Sequence, residues 1–327
     1  MHSPIFILGS HKSGTSLLRS LLDQHDELFV VPIESHFFEH AQYWVDYAIR
    51  KQAPLAPLTT EVFRHNVKQW VRHCNRSEDP YADSVAKDLF DTGRFDDWLD
   101  RQPNDSREPS QLFSDYMRAL HYSLTGEALQ PNVRVVEKSV ENAEFVGDLK
   151  KMFPEARFMH IIRNPYATLV AVRKYKSKSG FPWLGSLLRA TYSSYYYLER
   201  NLRLIDSYSV VRYEDIITHP RETVKRLCDD LALPFSETLL APTYRGEAWG
   251  GNSTSGQQFS GISQKRLTSW QDEITPLELA LVNKTLGRSL EKWGYETRAE
   301  HASPWLPVKR EGLKQYVANR VLLKTGL

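Results

Sequence analysis

Two cysteines, Cys74 and Cys228, are all the thiol chemistry this chain carries. They lie far apart and lack metal-ligand spacing, which excludes a disulfide framework and a cysteine–zinc site and leaves two reduced, buried thiols as the expectation. Long apolar runs are also missing. No stretch approaches the roughly 20 residues that a membrane span needs. The first run, Ile5 to Leu8, leads straight into a polar loop and is too short for the apolar part of a secretory signal. Charge of one sign is not in excess either: 42 basic against 40 acidic side chains leave a net +2, no field to gather a nucleic acid. Internal repeats are absent. What remains, at 41% hydrophobic and 25% charged residues over 327 positions, is a chain of globular composition, long enough for one large domain or two ordinary ones. It is expected to be cytoplasmic, with no transmembrane segment and no nucleic-acid partner.

What is present is an alternation. Short β-branched or apolar runs occur at Ile5–Leu8, Leu28–Val31, Arg134–Val136, Arg157–Ile162 and Ser209–Arg212, most of them followed by a turn and a helical pattern. That order predicts an α/β fold with a parallel sheet covered by helices on both faces. Residues 35–130 contain no convincing strand. They are aromatic, charged and helical in period, with breaks such as Gln102–Ser106, and are expected to form a helical insertion over the carboxyl ends of the strands, where such folds bind ligands. Tyr244–Gly261 reads as a long Gly/Ser/Asn loop, and the tail from Trp305 as a helix packed on the domain or, less directly, as a peripheral membrane contact.

The stretch FILGSHKSGTSLL, Phe6 to Leu18, is a strand, a loop and the start of a helix with apolar residues at Leu17, Leu18, Leu21 and Leu22. Such a loop directs several backbone N–H groups and the positive end of a helix dipole at one point, so an anion is its natural occupant. Gly9 and Gly14 keep the spacing of a nucleoside-triphosphate loop, but Thr15 follows Gly14 where that motif has lysine, and the lysine is Lys12, inside the loop. From there it can lie across a single 5′-phosphate and whatever that phosphate carries. The fourth strand ends not in an acidic residue for magnesium but in Arg163, suited to a second phosphate. Two phosphate sites without a metal carboxylate suggest a nucleotide phosphorylated at two places on one ribose.

These segments together resemble the sulfotransferases that use 3′-phosphoadenosine 5′-phosphosulfate (PAPS). GSHKSGTSLLRSLLDQH is similar to their 5′-phosphosulfate loop, IIRNPYATLVAVRKYK to their 3′-phosphate segment and VVRYEDI to the strand end that follows, in the family's order from residue 5 to about residue 295. The resemblance implies a P-loop-like parallel β-sheet flanked by helices, a sulfotransferase domain over residues 1–298 and a tail over 299–327. It also implies PAPS as donor, 3′-phosphoadenosine 5′-phosphate (PAP) as product, and no metal. Lys12 would bind the bridging oxygen and departing phosphate, Ser13, Gly14, Thr15 and Ser16 would cradle it, Arg163 would hold the 3′-phosphate and Tyr213 would touch the adenine. His11 is a loop residue with at most a minor part. The family's second 3′-phosphate ligand, a serine eight residues after the arginine, is Ala171 here, leaving Arg173 or the late segment with Ser263, Lys265 and Arg266 to compensate.

Attack on sulfur needs a base for the acceptor proton. Glu34, in VPIESHFFEH, precedes a helix at a strand's carboxyl end, and IESHFF is similar to the segment of heparan-type sulfotransferases whose glutamate is that base. No histidine motif of the cytosolic small-molecule enzymes is evident around His73 or His121. Lys138, in VVEKSVEN, matches the lysine of the family's EKTP stretch and would neutralise charge on the sulfuryl oxygens or the leaving phosphate, while Glu137 could hold Lys138 or Lys12. His36, Phe37 and Phe38 are expected to line the pocket of a small-molecule or glycan acceptor. The aromatics Trp44, Tyr47, Trp70, Trp98, Tyr116, Tyr122 and Tyr192–Tyr197 fit such a pocket or an ordinary helical core.

Three other readings compete. His36, Glu39 and His40 spell H-x-x-E-H, which on a helix would grip zinc in a metallopeptidase. A P-loop kinase using ATP and magnesium conflicts with the displaced lysine. A non-catalytic nucleotide-binding relative is supported only by Ala171 and opposed by Lys12, Glu34 and Lys138 together. The sequon at Asn252–Thr254 carries no weight in a cytoplasmic chain.

Overall fold

A computed structural model describes residues 1–43, 45, 59–76, 88–103, 105, 107–177, 180–252, 261–264 and 267–327. Trp44, Tyr47, Lys265, Arg266, Ser253 and Thr254, singled out above, lie outside them, as do Asn104 and Ser106. The predicted strands are there: β1 (Ile5–Gly9), β2 (Leu28–Val30), β3 (Arg134–Lys138), β4 (Arg157–Ile162) and β5 (Tyr208–Arg212). They form one sheet in the order β2-β3-β1-β4-β5, and every neighbouring pair is parallel. The central strand β1 is followed by α1 (Thr15–Leu22), over the predicted residues.

The two-residue period of β1 sorts its side chains between two cores. Ile5 and Ile7 point to one face, with Val136, Met159, Ile161 and Val211, under α1, α9 (Tyr213–Thr218) and α10 (Pro220–Leu231). Phe6 and Leu8 point to the other, with Val135 and Phe158. That face is covered by α5 (Pro109–Thr125), α6 (Val146–Met152), α7 (Pro165–Lys176), α8 (Leu184–Leu204) and α11 (Pro276–Lys292). Both faces are therefore buried, the condition under which an all-parallel sheet is stable.

The region 35–130 is helical where it is described, in α2 (Phe37–His40), α3 (Thr60–Arg76), α4 (Thr92–Asp100) and α5. Its placement is only partly over the strand ends. From α3, the Trp70 indole donates to the Glu34 carbonyl (3.0 Å) at the carboxyl end of β2. But α5 lies on the sheet face itself, with Phe113 against Phe6 (5.7 Å between ring centroids) and Phe153 (5.5 Å). The reason is apolar demand: Phe6, Leu8, Val135 and Phe158 need a cover, and Leu112, Phe113, Tyr116 and Leu120 of α5 supply it.

Local chemistry fixes the helix starts. Asn164 caps α7 by accepting from the Tyr166 N–H (3.0 Å), with Pro165 in the first turn, and Thr275 and Glu278 form a reciprocal capping box at α11. A final helix, α12 (Leu313–Thr325), lies within the tail. No helix among the described residues is long and apolar enough to cross a membrane.

Because Phe113 joins the insertion to the sheet core, Phe113→Ala is expected to cost about 3–5 kcal/mol. Urea unfolding would report it as a lower midpoint with an unchanged slope.

Candidate active site

The loops after β1, β2, β3 and β4 meet at the carboxyl ends of the strands, around a cavity of about 330 Å³. In the first loop, Ser13 N and Oγ both donate to the Ser10 carbonyl (3.1 and 2.8 Å), closing a turn. Gly14, at φ 109°, is the residue before α1 and has no side chain to cap the first turn. A Cβ at Gly14 would stand 2.5 Å from the Tyr213 ring, so the loop passes too close to that aromatic for any other residue. Lys12 is left-handed at φ 62°, and so is His36 at φ 47°. A left-handed non-glycine costs roughly 1–2 kcal/mol, and two of them at one cavity are a concentration of strain typical of working residues.

From the end of β4, Arg163 reaches back across the loop. Its Nη1 donates to the Lys12 carbonyl (3.0 Å) and its guanidinium lies 4.6 Å from the Tyr213 ring centroid. The Lys12 ammonium sits 4.4 Å from the Tyr175 ring of α7. Lys174 and Lys176, on either side of Tyr175, line the same cavity, Lys176 adding to its positive lining and Lys174 paired there with Glu273.

At the other end stands a carboxylate. Glu34 is paired with the Lys138 ammonium, which is entirely buried. A buried ammonium is tolerated only with such a partner. His36 bridges two acids, with Nδ1 2.9 Å from Glu141 Oε1 and Nε2 3.5 Å from Glu34 Oε2. Burial pulls the His36 pKa down, but Glu141, Glu34 and Glu39 outweigh it and raise it to about 10. At His11 burial outweighs the pull of Glu34 and lowers the pKa to about 4, so at neutral pH it presents a neutral ring to the cavity.

Of the residues expected to hold a nucleotide, His11, Lys12, Gly14, Thr15, Ser16, Arg163, Tyr213 and Ser263 line this one cavity, together with Glu34 and His36. Ser13 is buried beneath the loop and Lys138 behind Glu34. Two expectations need correction. Phe37 and Phe38 do not line the cavity: both are buried in the aromatic core, Phe37 against Phe63 and Phe113, and Phe38 stacked on Phe145, where their area is worth more than at a wet surface. Glu137 holds neither lysine. It is wholly buried and binds Ser35 N and Oγ, Ser139 Oγ and the Asn142 amide, with its carboxyl pushed above the usual range by that burial, and so it anchors the Glu34–His36 turn. Arg173 is likewise engaged elsewhere, with its Nε on the buried Glu278 (2.5 Å).

Sequence reasoning missed Glu141, Tyr175, Lys174 and Lys176. The basic run RKYK and the second acid of EKSVEN were visible, but nothing in their spacing told which way they would face. The H-x-x-E-H pattern does not make the metal helix it spells. α2 is one turn long, and both His36 ring nitrogens face carboxylates. Glu34, His36 and Glu141 do place three ligand atoms within 4.8 Å of one another. In the structure the His36 ring is engaged by both acids, and the Lys138 ammonium sits on Glu34.

This geometry coincides with what comparison finds. The model of the Sulfotransferase family matches residues 4–237, and the chain belongs to that family. It is a sulfotransferase enzyme. It is 22% identical over 312 residues to the omega-hydroxy-beta-dihydromenaquinone-9 sulfotransferase of Mycobacterium bovis, covering 90% of this chain and 75% of that protein. Among solved structures it is similar to the sulfotransferase domain from the curacin biosynthetic pathway (TM-score 0.57, 18% identity, 91% of this chain and 99% of that one). It is equally similar to the sulfotransferase domain from the Synechococcus PCC 7002 olefin synthase (TM-score 0.57, 19% identity, 91% and 98%). At these identities the structures speak for the fold.

The bridged histidine carries a pH signature. Its folded pKa of about 10 lies above the ordinary 6.5, so its contribution to stability is complete below about pH 6.5 and is lost as pH rises toward 10. An NMR titration should find the His36 ring cationic through pH 8, and Glu141→Gln should lower its midpoint by at least one unit. A His36 midpoint near 6.5 in the wild-type chain would contradict the bridge.

Proposed function

We propose that the enzyme takes its sulfuryl group from PAPS, that Glu34 is the base, and that a small molecule bearing a hydroxyl, a glycan among them, is the acceptor. The observation that carries this reading is the polarity of one cavity: Lys12, Arg163 and an uncapped helix start at one end, and the Glu34–Lys138 pair at the other. A nucleotide with phosphates on both the 5′ and 3′ positions matches the cationic end. In this reading Ser13, Gly14, Thr15 and Ser16 enclose the 5′-phosphate, Arg163 holds the 3′-phosphate and Tyr213 lies along the adenine. Ser263 is the candidate to take the part left vacant by Ala171, since it lines the cavity while Arg173 is committed to Glu278.

The reaction balances without an added reagent. The acceptor oxygen attacks sulfur, its proton passes to Glu34, the bond between sulfur and the bridging phosphate oxygen breaks, and PAP leaves with the electron pair. Negative charge grows on that oxygen, where Lys12 opposes it, while the buried Lys138 acts through Glu34, whose carboxylate it holds. His36, cationic and fixed by Glu141, keeps the Glu34 carboxylate in place.

Glu34→Gln tests it. The amide oxygen still accepts from Lys138, so the chain should fold and bind PAP, while turnover falls by roughly 10²–10⁴. Glu34→Asp preserves the charge pair but withdraws the carboxylate by one methylene, and turnover should again fall steeply. Normal turnover in both variants would remove Glu34 from the chemistry.

A further inference from the structure

The mechanism leaves one surface unused, the outer side of α12. Its inner side is firmly docked. Asn319 is wholly buried, with its amide oxygen accepting from Leu184 N (2.8 Å) and its amide nitrogen donating to Pro182 O (3.2 Å). Arg320 is paired with Glu311 (2.9 Å), and the Lys284 ammonium binds the carbonyls of Leu323 and Lys324 (2.8 and 2.6 Å) at the helix end. A helix held this way presents its outer residues in a defined array.

That array is apolar where a solvated helix would be polar. Leu313 is 79% exposed, Val317 51% and Val321 52%, one residue every fourth along the same face. Trp305 and Leu306 extend it. The Trp305 carbonyl accepts from Tyr316 Oη (3.1 Å), the Leu306 carbonyl accepts from Arg320 Nη2 (2.5 Å), and Leu306 is 67% exposed. Single exposed leucines mean nothing, but three apolar side chains on one docked helix, with Trp305 and Leu306 of the segment before it, form a patch.

Charge identifies what the patch faces. Residues 305–327 hold Lys309, Arg310, Lys314, Arg320 and Lys324 against one acid, Glu311, which is already paired with Arg320. This segment carries more positive charge than the whole chain's net +2, so the remainder is net acidic. Lys314 and Lys324 are exposed beside the apolar stripe, and the Lys324 ammonium lies 5.6 Å from the Trp305 ring. Apolar side chains flanked by lysines and a tryptophan are the composition of a face that lies in a membrane interface, with its lysine heads among anionic headgroups. A second copy of the chain fits less well, because a two-fold contact would set this basic face against itself.

We propose that the outer face of α12, with Trp305 and Leu306, docks the enzyme on an anionic phospholipid bilayer. The segment that leads into α12 is tied to the body of the chain, since Phe181 donates its N–H to the Arg310 carbonyl (2.9 Å). The docking does not depend on the assignments made to Glu34 or to the nucleotide.

The test is co-sedimentation of the full chain with vesicles of phosphatidylglycerol and phosphatidylcholine, and with phosphatidylcholine alone, at low and high salt. Partition should be at least tenfold stronger on the anionic vesicles and weaken with salt. The triple variant Leu313→Ser, Val317→Ser, Val321→Ser and the double variant Lys314→Glu, Lys324→Glu should each lose at least tenfold, with unchanged melting and PAP binding, since all five side chains are exposed. No partition of the wild-type chain, or equal partition of the variants, overturns the proposal. So does a concentration-dependent dimer in sedimentation velocity that the triple variant abolishes, which would assign the face to a second copy. Retained PAP binding with lost partition separates a failure here from a failure of the active-site reading.

Discussion

The buried Lys138 ammonium is the constraint around which the site is built. A fully desolvated ammonium without a partner is intolerable in a folded chain, and breaking such a pair by removing one member costs about 3–5 kcal/mol. Lys138 ends β3, between the edge strand β2 and the central strand β1, and the carboxylate that answers it comes from the turn that follows β2. Glu34 is that carboxylate. A second buried acid, Glu137, fixes the same turn through Ser35, and Glu141 fixes His36 on its far side. Folding the sheet thus delivers a carboxylate, held between two cations, to the mouth of the phosphate loop.

The other end of the cavity obeys a different rule. There the chain accepts strain at Lys12 and close approach at Gly14 to present backbone and cation to an anion. Arg163 and Tyr213 brace the loop from the neighbouring strand ends. The cationic loop follows the central strand β1 and is braced from β4 and β5 on one side, while the anionic turn follows β2 on the other, so the site lies where the strand order reverses direction.

Much of this was readable in the residues themselves. The five strands and α1 follow from short apolar runs and turn chemistry, which are local signals. Lys12, Glu34, Lys138 and Arg163 each sit within a few residues of a strand end, so their convergence follows once the strands are known to be parallel. What escaped reading depends on facing, which period alone leaves open. Phe37 and Phe38 sit next to His36 in sequence, yet the left-handed turn at His36 sends them into the core while the imidazole stays at the cavity. Glu137 and Glu141 are four residues apart in one acidic stretch, and only the fold assigns one to Ser35 and the other to His36. The place of α5 on the sheet was hidden for a similar reason: an apolar helix face does not announce which surface it will cover.

The central claim is that the cationic end of this cavity is shaped for a nucleotide phosphorylated on both the 5′ and 3′ positions of its ribose. Thermal unfolding with PAP, with ADP, and with ATP plus magnesium, each repeated in chelator, tests it most directly. A ligand that binds only the folded chain adds about 2.7 kcal/mol at 100 times its dissociation constant. The account predicts stabilisation by PAP that exceeds that by ADP and persists in chelator. Equal stabilisation by ADP and PAP, or stabilisation by ATP and magnesium alone, would contradict it.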